Sequence, residues 1–253
     1  MTLRYPILIA GLLALLPLLQ EAHAGWKDYL KPLEGAIGNK TLQHAAGSAL
    51  SGEEMTRGLK EALSVGVKKA IEYLGKDGGF LNDRQVRIPL PGALQKIEKG
   101  LRAMGQGKVA DEFVATLNHA AEKAVPKTAS IIADSIKKMS IKDAQKILNG
   151  PDDAATRYFR DTNDKQLTAA IMPIVREATA KTGVTSAYKN LIGQAGFMAK
   201  FMNTDNLDLD KYVTRKTLDG LFLKLAQEEK QIRTNPVARS TELLKKVFGG
   251  SGG

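Results

Sequence analysis

SGEEMTRGLKEALSVGVKKAIEYLG, residues 51–75, is the stretch whose reading decides the fold. Ser51-Gly52-Glu53-Glu54 matches the S-x-x-E capping box, in which a hydroxyl and a carboxylate exchange hydrogen bonds with the amides that open a helix. Met55, Leu59, Leu63, Val67, Ala70, Ile71 and Leu74 then recur at the spacing of one helical face. Gly75 suits the position just past the helix end.

Working outward, the same period returns along the chain. Leu94, Ile97, Leu101 and Met104 form a stripe ended by Gly105, and Val109, Phe113, Leu117, Ala120 and Ala124 form another ended by Val125-Pro126. Ile132, Ile136 and Met139 carry the next, and Ser140 caps a short helix through Ile147 and Leu148. Gly150-Pro151 opens a further helix, with Pro in its first turn. Leu167, Ile171, Ile174, Val175 and Ala178 mark a long helix that Pro173 should kink. Shorter helices are expected at 184–192 and 197–202. Leu218, Leu221, Phe222 and Leu225 form a clean late stripe, and Asn235-Pro236 caps a final helix ending near Phe248. Only Val86, Ile88 and Leu90 alternate like a strand. With two prolines and no second strand to pair with, residues 85–91 read as an extended crossing segment. The fold class is all-α, a single multi-helix domain over residues 51–248.

Residues 1–24 read as an address. Arg4, an apolar run at 7–19 and Ala22-His23-Ala24 describe a secretory signal peptide cleaved after Ala24. The run falls short of the roughly 20 apolar residues a membrane span needs. Residues 25–50 form a Gly- and Ala-rich lead-in, and residues 249–253 a flexible Gly/Ser tail. Arg4 and Glu21 would leave together, so the net charge stays at +10. Export without a single cysteine points to a bacterial periplasm and to stabilisation by packing alone.

Hydrophobic residues at 43% and charged residues at 25% exclude a disordered chain, a collagen and a polytopic membrane protein. Several chemistries are missing as well. His44 and His119 are the histidines left after cleavage, so a structural zinc site or a Cys-His nucleophile is excluded, and no metal or cofactor is implied. His119 and Glu122 stand at i, i+3, the reverse of a di-iron Glu-x-x-His, and read as a surface contact. No nucleophile elbow, P-loop or dinucleotide fingerprint occurs. Asp205, Asp208 and Asp210 lack EF-hand spacing and read as helix caps.

Two segments carry candidate function. Residues 75–91 form a long connection with Phe80, Leu81, Val86, Ile88 and Leu90 as apolar anchors and Arg84 and Arg87 as cations. Its simplest reading is a lid that pins two helices. In residues 150–162, Asp152 and Asp153 occupy the first helical turn, where they favour the positive helix end. Asp153 and Arg157 make an i, i+4 pair, and Arg157 and Arg160 share a face beside Tyr158. Such an arginine pair grips a phosphate or carboxylate, unless it is satisfied within its own helix. Arg160, with no obvious partner in its helix, is the spare one, for a ligand anion or a buried partner on another helix.

These segments also carry a resemblance. Gly58-Leu59-Lys60-Glu61-Ala62-Leu63, Arg87-Ile88-Pro89-Leu90-Pro91, Gly150-Pro151-Asp152-Asp153-Ala154-Ala155 and Lys216-Thr217-Leu218-Asp219-Gly220-Leu221-Phe222, followed by Asn235-Pro236, resemble those of the bacterial DUF4197 family. The likeness runs from about Ser51 to Phe248. It implies an exported, mostly helical protein, and supplies no activity or cofactor.

A charge of +10 attracts polyanions. Export and the absence of basic runs interleaved with aromatics argue against nucleic acid, leaving anionic lipid or another envelope protein. The expected function is non-enzymatic binding or scaffolding in the envelope. The alternative is a hydrolase of an envelope polymer using paired carboxylates, which would show as two acids converging across an open groove.

Overall fold

The chain divides into two units, residues 1–38 and 39–253. The computed structural model describes residues 50–181 and 208–235, with Asn190, Gly193 and Val247, all in the second unit. The expected signal segment, nearly all of the lead-in, the helices at 184–192 and 197–202 apart from Asn190, Asp205, the closing helix apart from Val247, and the tail lie outside the described residues.

Helix α1 spans Gly52–Gly75, α2 Gly92–Ala103 and α3 Gly107–Ala124. A 3₁₀ turn, Val125–Thr128, leads into α4, Ala129–Lys138. Then come α5, Ile141–Leu148, α6, Ala154–Lys181, and α7, Leu209–Thr234. No strand occurs among the described residues, so the all-α class holds.

Local chemistry explains the starts. Ser51 Oγ accepts the Glu54 amide at 3.2 Å while Glu54 Oε2 accepts the Ser51 amide at 2.9 Å. Ser140 and Asp143 build the same box at α5, where the Ser140 hydroxyl and amide hold the Asp143 carboxyl below its usual range. Asp208 caps α7, its Oδ1 accepting the Lys211 amide at 2.8 Å. Two end assignments change. Gly75 is the last helical residue, not a cap, and a Cβ there would come within 2.7 Å of Pro126. Met104 lies beyond the end of α2 and is exposed, because the chain turns out there toward Gly105 at φ 75°.

Residues 154–162 and the Leu167 stripe belong to one helix, α6, with Pro173 inside it, while Gly150 and Pro151 lie before it and Pro151 is not in its first turn. Asp152 and Asp153 precede that helix and do not occupy its first turn. Its opening amides are taken instead by Glu229 of α7, which accepts from Ala155 at 2.8 Å and from Thr156 at 2.9 Å. Arg233 donates to Glu229 at 3.0 Å and to the Ile147 carbonyl at 2.8 Å. One buried Glu–Arg pair thus joins the carbonyl end of α5 to the amide end of α6, each matched in sign.

Helix α6 packs along α7 and against α3, and α1 lies on α7, α4 and α5. Phe113, Phe159 and Phe222 join Leu59, Leu63, Val67, Ile71, Leu74, Leu117, Ile132, Ile136, Leu167, Ile171, Val175, Leu218, Leu221 and Leu225 of the predicted stripes in one buried cluster. Each fully buried side chain of this kind contributes roughly 1.5–3 kcal/mol.

Candidate functional site

Residues 76–91 form a strap between α1 and α2, fastened at many points. Glu122 Oε1 accepts the Phe80 amide at 3.0 Å and the Leu81 amide at 3.1 Å. Its other oxygen lies 2.8 Å from His119 Nδ1. Glu122 is only 3% exposed, so the expected surface contact is a buried anchor, its carboxylate drawn inward by amides that need an acceptor. Asp77 joins these two residues, with ligating atoms within 4.8 Å of one another, and the strap's own hydrogen bonds account for the Glu122 carboxylate there. Asn118 brackets Ile88, accepting its amide at 2.8 Å and donating to its carbonyl at 2.9 Å. Asp83 pairs with Lys224 at 2.6 Å and accepts from Tyr73 at 3.0 Å. Burial works against the Asp83 charge, but hydrogen bonds from Lys224, the Gln85 amide and Tyr73 hold its carboxyl below the usual range.

The strap therefore pins helices, as its apolar anchors suggest, and it does more. Period-two alternation buries Val86, Ile88 and Leu90 and turns Gln85, Arg87 and Pro89 outward. Asp153, just before α6, and Thr156, Arg157 and Arg160 on it line one side, and α7 presents Lys216, Asp219, Gly220, Leu223 and Ala226 at helical spacing. The three stripes enclose one open cleft of ≈ 530 Å³. Gly220 lets the strap come this close, because a Cβ there would lie 2.7 Å from the Phe80 ring and 3.3 Å from Val86 Cβ.

Arg87, Arg157 and Arg160 meet in this cleft, although 70 residues separate the first two in sequence. Tyr158 does not join them. It is half-buried and stands edge-on to Phe159, and burial, with the nearby Asp143 charge, pushes its hydroxyl up. Arg84, exposed on the strap, does not line the cleft.

The cations are not equivalent. Arg157 Nε donates to Asp153 at 2.9 Å, the expected i, i+4 pair, and this bond raises its hold on the proton. Arg160 takes a partner from another helix, Asp219 at 3.6 Å, and this pair is half-exposed, unlike the buried partner offered as one of its two roles. Its guanidinium stacks 4.6 Å above the Phe222 ring. Among the described residues Arg87 and Lys216 have no side-chain hydrogen bond or ion pair. Lys216 and Asp219 stood in the sequence only as part of the resemblance motif and not as site residues, though a glycine within a helical pattern often has a packing reason. The floor is apolar, made by Phe222, Val86, Leu223 and Ala226. Arg160 also borders a second, polar hollow of ≈ 520 Å³ lined by Asp161, Asp164, Lys165 and Arg215.

Fold and cleft together define an all-helical, cysteine-free protein with a cationic cleft over an apolar floor. The chain belongs to the family described as Protein of unknown function (DUF4197), whose model matches residues 49–249. No curated protein and no solved structure matches it.

Proposed function

We propose that this protein is a non-enzymatic binding protein of the bacterial envelope, exported by its N-terminal segment, which holds an anionic amphiphile in the cleft. The observation that carries this reading is the convergence of Arg87 and Lys216, unpaired among the described residues, with Arg160 above Phe222, Leu223 and Ala226. Guanidinium forks suit the oxyanions of a headgroup, and the floor suits the first carbons attached to it. Among the described residues no helix is long and apolar enough to cross a membrane.

The hydrolase alternative has one observation in its favour, since Asp153 and Asp219 both line the cleft. Each, however, faces an arginine and is open to solvent, whereas a general acid needs an apolar enclosure. The buried carboxylates Glu122 and Glu229 are occupied by backbone amides.

Native mass spectrometry of protein purified from its own envelope tests the reading. A co-purified acidic amphiphile, absent from the Arg87→Ala/Lys216→Ala double variant, is the expected result. A bare chain that also ignores phosphatidylglycerol vesicles would refute it. N-terminal sequencing of the exported protein should begin at Gly25.

A further inference from the structure

Arg160 differs from the other arginines of the cleft in how it is held. Stacking on Phe222, itself only 2% exposed, orients the guanidinium from below. Asp219 faces it at 3.6 Å, beyond hydrogen-bond reach, with both side chains about half-exposed. Among the described residues Asp219 makes no other side-chain polar contact. Arg157, by contrast, is tied to Asp153 by a true hydrogen bond at 2.9 Å. Arg160 is thus positioned by a buried ring and neutralised by a contact that is weak and solvent-open.

We propose that Asp219 stands in for the ligand's anionic group in the empty protein, so that capture is an exchange on Arg160. An incoming oxyanion takes the Arg160 fork, Asp219 turns to solvent, and Arg87 and Lys216 supply the charge that makes the exchange favourable. The inference rests on the amphiphile reading of the cleft and adds the competitor that sets its selectivity. A singly charged head must outbid a carboxylate already in place. Neutral and zwitterionic amphiphiles, with no net charge for Arg87 and Lys216 to attract, do not displace it.

The probes are dihexanoyl-phosphatidylglycerol, dihexanoyl-phosphatidylcholine and decanoate, each below its micellar concentration, titrated calorimetrically into the full mature chain. Asp219→Asn keeps size and hydrogen-bonding capacity and lies on an exposed stripe, so its melting temperature should match wild type. Removing an exposed competing charge predicts about three- to tenfold tighter phosphatidylglycerol binding. Arg160→Ala should weaken it, and Asp219→Asn combined with Arg160→Ala should show no gain over Arg160→Ala alone. Comparing phosphatidylglycerol with decanoate distinguishes a phosphodiester head from a carboxylate, and either supports the exchange. If wild type binds the anionic probes and Arg160→Ala weakens them, but Asp219→Asn binds no better, the exchange is wrong and the amphiphile reading survives. If neither wild type nor Asp219→Asn binds any anionic probe, both fall.

Discussion

Arg233 donates to Glu229 and to the Ile147 carbonyl with its side chain only 11% exposed, whereas Arg160 lies open at 48%. The two therefore answer the same truncation differently. Arg160→Ala breaks a long, solvent-screened pair and should shift unfolding free energy by less than about 1 kcal/mol. Arg233→Ala leaves the buried Glu229 charge without its cation and the Ile147 and Leu148 carbonyls without their donor, and should cost about 3–5 kcal/mol in a denaturant melt. Equal losses would contradict the burial assigned to either site. Thr214 and Thr217 make the opposite case, since their hydroxyls are buried on α7 with no hydrogen-bond partner among the described residues. An unmet hydroxyl is costly, so Thr217→Val should leave the protein unchanged or raise its stability by about 1 kcal/mol. A loss of 2 kcal/mol or more would mean that the hydroxyl has a partner in solution.

At the scale of elements, α7 and the strap meet at Gly220. Alanine there would gain roughly 1 kcal/mol of helix propensity. It would also place a Cβ 2.7 Å from the Phe80 ring, which is fully buried and cannot move aside. Overpacking of this kind costs about 1–3 kcal/mol, so Gly220→Ala should be net destabilising and should also weaken anion binding by lifting Arg87. A melting temperature at or above wild type would show the strap to be looser than its hydrogen bonds suggest. Elements such as α1 and α5 were legible in the sequence because their capping boxes and stripes are local. The amide caps supplied by Glu122 and Glu229 were not, since their partners lie 42 and 74 positions away and leave no periodic trace. The cleft was half legible. Its arginines stood out on two separate segments, but only packing could show that the segments face each other or that Lys216 and Asp219 complete them.

Across the whole molecule, the Asp83–Lys224 pair ties the strap to α7 and gives the protein an acid-sensitive seam. Because the folded Asp83 carboxyl lies below its usual range, its contribution is fully present above the unfolded value of about 3.9 and is lost as pH falls through the depressed one. Asp83→Asn should therefore cost about 1.5–3 kcal/mol at neutral pH, with the gap to wild type closing below about pH 4 in melts at stepped pH. A gap that stays constant with pH would refute the linkage. The Glu229 junction bears on time as much as on strength. The amides that open α6 find their acceptor 73 and 74 residues later in the chain. A chain emerging from its N-terminus makes the longest described helix well before it makes the group that seals its start. Until residue 229 arrives, that first turn is open to water and free to fray, and the loop that closes it is a long one. Maturation of the α5–α6 corner and of the cleft wall above it should then come as one late step, set by the docking of α7 and not by the formation of either helix.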